Sequence, residues 1–102
     1  MATFTLTVFA PPLFAENDSF STSNKVDEQI IDVLANDLLG VEPTIISSVN
    51  TTGFTLGTVT INVDEDALLY NPSGTIGTSS ITYTIMDDNG NTSTATVTIT
   101  QT

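Results

Sequence analysis

Apolar and small polar residues alternate along the last third of the chain. Ile81, Tyr83 and Ile85 are separated by Thr82 and Thr84, and Ala95, Val97 and Ile99 by Thr96 and Thr98. A period of two places one set on a buried face and the other in water, which predicts two half-buried β-strands. Asp87-Asp88-Asn89-Gly90-Asn91 lies between them and predicts a hairpin. The faces constrain its turn, because directly opposed residues of an antiparallel pair point to the same side. A two-residue Asn89-Gly90 turn would set Ile85 against Thr94 and Tyr83 against Thr96, placing threonine in the core. A loop with an odd number of residues sets Ile85 against Ser93 or Ala95, and Tyr83 against Ala95 or Val97. The prediction is Asp88-Asn89-Gly90 with Gly90 left-handed in a bulge, or a longer odd loop.

The same alternation predicts further strands upstream. Ala2 to Val8 carries Phe4, Leu6 and Val8 on one face. Ala10-Pro11-Pro12-Leu13 is a stiff linker, since consecutive prolines favour an extended chain and donate nothing to a ladder. Strands are expected at Ser19 to Thr22, at Gln29 to Leu34 and, after Pro43, at Thr44 to Val49. Two more follow: Thr58 to Val63 with Val59, Ile61 and Val63 inward, and Ala67 to Tyr70 closed by Asn71-Pro72-Ser73-Gly74. With the terminal hairpin this makes seven short strands after the linker. The expectation is an all-β chain folded as a β-sandwich. Tyr70 and Tyr83 alternate inward and are expected to fill its core.

Ala2-Thr-Phe-Thr-Leu-Thr-Val8 echoes Ala95-Thr-Val-Thr-Ile-Thr-Gln101 at an offset of 93 residues. The offset approaches the size of one sandwich domain, which suggests the tail of a preceding copy followed by one full copy. Residues 1–12 are then the last strand of a preceding repeat plus its linker, and residues 13–102 the repeat itself. An orphaned Thr-rich strand at residues 2–9 would add to a neighbour's sheet edge, giving a strand-exchanged oligomer.

Twelve acidic residues face a single base, Lys25, for a formal net charge of −11. That balance opposes nucleic acid and anionic membrane as partners, since both need clustered Lys and Arg. It suits a soluble surface or cation binding. No apolar run approaches the ~20 residues of a membrane span, and Met1-Ala2-Thr3 lacks the basic start of a signal peptide. Histidine and cysteine are absent, so zinc and thiolate sites are not expected, and the usual nucleophile–base pairs cannot be assembled. The chain is therefore not expected to be an enzyme. Lys25, placed in a polar turn, is poorly sited for a Lys–Asn isopeptide bond.

An ordered set of segments carries a resemblance. Glu16-Asn17-Asp18-Ser19 is followed by Ile31-Asp32-Val33-Leu34-Ala35-Asn36-Asp37, then by Gly57-Thr58-Val59-Thr60 and Leu69-Tyr70-Asn71-Pro72. Ile81-Thr82-Tyr83-Thr84-Ile85-Met86-Asp87, Gly90 and Ala95-Thr96-Val97-Thr98-Ile99 complete it. Over residues 15–100 this order resembles the bacterial cadherin-like, immunoglobulin-like tandem repeats of large secreted adhesins. The resemblance implies a seven-strand immunoglobulin-like sandwich, tandem repetition, extracellular or cell-surface placement, and often Ca²⁺ at domain joints. Asp64-Glu65-Asp66 departs from it, because the family usually has an Asp-Gly turn there.

In that topology Glu16, Asp18, Asp37, Glu42, Asp64, Glu65, Asp66, Asp87 and Asp88 fall at the pole facing the preceding copy, and Lys25 near the other. Like charges so close favour a cation among them, and Ca²⁺ takes about 6–8 oxygen ligands. The candidate metal ligands are Glu16, Asp18, Asp37, Asp64, Asp66, Asp87 and Asp88, helped by the Asn17 and Asn89 amides. The competing reading is that Asp and Asn are good turn formers and that an acidic pole keeps the protein soluble. The functional expectation is a spacer repeat of a surface or secreted adhesin-type protein, in contact with neighbouring repeats. Its rivals are a carbohydrate- or protein-binding module and a decoration domain of a phage or surface layer.

Overall fold

A computed structural model describes residues 11–102. The strands are β1 (Leu13–Phe14), β2 (Asp18–Thr22), β3 (Gln29–Ile31), β4 (Leu38–Leu39), β5 (Ile45–Asn50), β6 (Gly57–Ile61), β7 (Leu68–Pro72), β8 (Gly77–Met86) and β9 (Thr92–Gln101). One sheet has the order β2-β9-β8-β5, with β2 parallel to β9, and the other has the order β3-β7-β6. A two-residue ribbon, β1 against β4, pairs Leu13 with Leu39 and Phe14 with Leu38. The chain is an all-β, immunoglobulin-like sandwich. Leu13, expected in the linker, belongs to β1. The predicted strand at residues 2–8 lies outside the described residues.

The period of two sorts the sheets as expected. Ile81, Tyr83 and Ile85 of β8 and Ala95, Val97 and Ile99 of β9 are all buried. They meet Ile31, Ile46, Val59, Leu68 and Tyr70 from the other strands. Removing such side chains from water is the main driving force of the fold. Both tyrosine rings are core residues, and Tyr70 makes edge-to-face contacts with Phe20 and Phe54 at 6.4 and 6.0 Å. On the outer face the hydroxyls of Thr84 and Thr94 meet at 2.9 Å, and those of Ser80 and Thr98 at 3.3 Å.

The β8–β9 hairpin turns through Asp87–Asn91, a five-residue odd loop that sets Tyr83 against Ala95 and Ile85 against Ser93. Gly90 is left-handed, with φ +82°.

Two expected strands end early. β3 stops at Ile31, and Val33–Asn36 forms a 3₁₀ helix. Asp32 leaves the extended region there, with ψ 77°, so Val33 still drops into the core while its carbonyl turns toward β8. β6 stops at Ile61, and Val63 is 95% exposed rather than inward. Asn62 diverts the chain: its side-chain oxygen accepts the N–H groups of Asp66 and Ala67 at 2.9 and 3.1 Å, closing a tight turn. That turn needs a left-handed residue, and Glu65 supplies it with φ +58°.

Candidate functional site

The pole where the chain comes in is built from three hydrogen-bonded groups. The first centres on the Tyr83 hydroxyl. β8 is buried on its inner face, so the ring points through the core and its hydroxyl emerges under the loops of the pole. Asp37 Oδ2 lies 2.8 Å from it, Asp18 Oδ2 and the Glu16 carbonyl each lie at 3.0 Å, and the Val33 carbonyl lies at 3.4 Å. One O–H donates to a single acceptor at a time, so acceptor oxygens outnumber the donor. The Glu16 N–H adds a bond to Asp37 Oδ1 at 2.8 Å. Burial raises the carboxyls of Asp18 and Asp37 above the usual carboxylate range. For Asp18 the nearby Asp37 charge adds to this, and hydrogen bonds, including Tyr83's, work against it. Burial first, and then the two carboxylates, push the Tyr83 phenol far above its ordinary value.

The second group centres on Asp87, a buried carboxylate at the base of the hairpin. Its Oδ1 accepts the Asn91 and Asn89 N–H groups at 2.9 and 3.1 Å, and its Oδ2 accepts the Val41 N–H at 3.3 Å. Burial works to raise this carboxyl. The bonds from Asn91, Val41 and Asn89 outweigh it and hold the carboxyl below the usual range. The Asp88 N–H returns a bond to the Val41 carbonyl at 2.7 Å, which ties the hairpin to the segment after β4. The third group is the Asn62–Ala67 turn, where Asn62 Nδ2 donates to Asp66 Oδ1 at 2.6 Å. The Glu65 carbonyl there accepts from Ile46 N–H at 2.8 Å.

The seven candidate ligands therefore divide. Glu16, Asp18 and Asp37 converge, but Glu16 joins through its backbone. Asp87 spends its oxygens on its own turn and on the Val41 N–H, Asp66 bonds Asn62, and Asp64 and Asp88 lie exposed. Among the described residues no group of three or more acidic side chains is placed to hold a metal ion. Sequence periodicity located the Tyr83 ring but not the role of its hydroxyl. The signal was a single inward tyrosine level with Asp18 at the start of β2 and Asp37 after the 3₁₀ helix, visible only once strand register was known.

The opposite pole carries the outgoing end of β9. Gln101 is buried, accepts the Tyr70 hydroxyl at 2.7 Å and donates to the Thr22 carbonyl at 3.0 Å. The Thr102 N–H donates to the same carbonyl at 2.9 Å. The β2–β3 connection, with Lys25, lies beside it.

Residues 10–100 match the family model described as bacterial Ig domain. No curated protein matches the chain. Among solved structures the chain is similar to a SusE-like, surface-located polysaccharide-binding protein from the heparin utilisation locus of Bacteroides thetaiotaomicron. The identity is 18% and the TM-score 0.49, over 91% of this chain. The chain spans only 16% of the length of that structure.

Proposed function

The chain belongs to the bacterial Ig domain family, and on that premise we propose that it is a structural repeat of a larger bacterial cell-surface or secreted adhesin-type protein. It acts as a spacer that holds other domains at a distance. The observation that carries this reading is the path of the chain. It comes in at the pole of Tyr83 and Asp87 and leaves at the pole of Gln101, so the sandwich is strung end to end. Among the described residues the chain is hydrogen-bonded to the body at both poles, by Glu16 at one and Thr102 at the other. A repeat that transmits length needs that arrangement. The rival reading, a carbohydrate-binding module, draws on stacking against exposed aromatic rings; both tyrosines here lie in the core, and among the described residues Phe14 is the aromatic ring that is more than half exposed.

A finer proposal concerns the joint. The Asp18 and Asp37 carboxylates and the Glu16 and Val33 carbonyls offer more acceptor oxygens than Tyr83 can satisfy. Ca²⁺ favours such hard oxygen donors, and a preceding copy would supply the remaining ligands.

Two full copies joined in line test the reading by small-angle scattering. The expected result is one extended particle of about twice the single-copy length, with Ca²⁺ stiffening it further and a chelator reversing that. A freely jointed pair would overturn the spacer reading, and a profile indifferent to Ca²⁺ would remove the metal from it.

A further inference from the structure

The β2–β3 connection is unusually well fixed for an exposed turn. Asn24 Oδ1 accepts the Val26 and Asp27 N–H groups, both at 3.0 Å. The Thr22 hydroxyl accepts the Asn24 N–H at 3.1 Å, and Gln29 Nε2 donates to the Asn24 carbonyl at 3.0 Å. Yet its tip presents an apolar side chain to water: Val26 is 84% exposed. Its neighbour is Lys25, the one base of the chain. Ordering a loop costs conformational entropy, and this turn has already met that cost while displaying an apolar residue beside a single ammonium. The turn's two acids, Asp27 and Glu28, accept from Asn24 Nδ2 at 3.2 Å and from Asn71 Nδ2 at 3.1 Å.

The other pole offers the complement. Pro43, Ile45, Met86, Asp87, Asp88 and Gly90 line an open groove of about 270 Å³. Ile45 and Met86 are cross-strand partners whose neighbours Ile46 and Ile85 point inward, so these two face outward. Asp87 is occupied by its own turn, which leaves the exposed Asp88 as the groove's charge, with Glu42 next to Pro43.

We propose that the Lys25-Val26 turn of one copy docks into the Pro43/Ile45/Met86 groove of the next copy in line, with Lys25 against Asp88. The occupant is a second copy of this domain because Lys25 can meet Asp88 while Asp27 and Glu28 are held by Asn24 and Asn71, and because the chain path is continuous. Thr102 leaves beside Thr22, at the root of the turn, and Pro12 comes in bonded to Gly40, next to the Val41–Asp88 contact. A contact this small is weak between free chains. A short tether supplies an effective concentration on the order of millimolar, which makes it usable in series. The proposal rests on the in-line spacer reading.

The test uses two full copies joined in line, with methyl shifts recorded at Val26 of the first copy and at Ile45 and Met86 of the second. Joining is expected to move these signals relative to the single chain. Val26→Asp in the first copy returns the Ile45 and Met86 signals to single-chain positions. Lys25→Glu in the first copy or Asp88→Lys in the second weakens the shift, and the two together restore it. Val26 and Asp88 are exposed and Lys25 is half-buried, so a single-chain spectrum of each variant serves as the check on folding. A linked pair that scatters as a rod but leaves all three signals unmoved would refute the docking and leave the spacer intact. A freely jointed pair would remove both.

Discussion

The Tyr83 hydroxyl is one donor among an excess of acceptors, and this makes the incoming pole sensitive to protons. Asp18 and Asp37 titrate above the ordinary value of 3.8. An acid raised in the folded state is most stabilising when protonated: that contribution is complete below the unfolded value and is lost as pH rises through the folded one. Asp87 has the opposite sign. It is lowered, so its contribution holds above 3.8 and fades as pH falls through its folded value. The melting temperature, followed by circular dichroism, should therefore rise as pH falls from neutral toward 3.8 and drop below it. Tyr83→Phe removes the shared donor. At pH 7 it should cost about 1 kcal/mol in urea unfolding, the low end of the usual penalty for stranding acceptors, because Asp18 and Asp37 are half-buried. Near the acid maximum the cost should be smaller, because a protonated Asp37 donates in its place. Equal losses at both pH values would contradict this.

At the scale of elements, alternation located the seven main strands, and the parity argument required an odd hairpin loop, which Asp87–Asn91 is. The missed features lie where the chain leaves a sheet, and there local backbone geometry overrides a hydrophobic pattern that would have continued. At Asn62 a side chain bonding the backbone ends β6 and leaves Val63 in solvent; at Asp32 a backbone bend alone, with no side-chain cap, turns the end of a predicted strand into a 3₁₀ helix. Register governs the candidate site too: the acids of the pole were countable from the sequence, but which of them meet Tyr83 was not. Gly57, at the start of β6, has φ +143°, and a Cβ there would sit 2.1 Å from the Asn71 carbonyl. At Gly90, φ +82°, an added Cβ meets nothing within 4 Å. Gly90→Ala should therefore cost only backbone strain of about 1 kcal/mol. Gly57→Ala should cost distinctly more, because the β6–β7 ladder has to open. Urea midpoints of the two variants compare them directly, and a Gly57→Ala no worse than Gly90→Ala would count against the described register.

At the scale of the molecule, the sandwich is polar in the sense of a rod with unlike ends. One end is acidic and holds the incoming chain through Tyr83, Asp37 and Ser93; the other carries Lys25 with Asp27 and Glu28 and releases the chain beside Gln101. A spacer works only if the incoming segment moves with the body. That segment is joined by the Ala15 N–H to Ser93 Oγ at 2.9 Å, the Glu16 N–H to Asp37, and the Gly40 N–H to the Pro12 carbonyl at 3.0 Å. Native-state hydrogen exchange reads each of these amides separately from the core strands. The account predicts that Ala15, Glu16 and Gly40 exchange as slowly as the ladder-bonded amides between β8 and β9. Exchange at the rate of a frayed end, with β8 and β9 still protected, would contradict it.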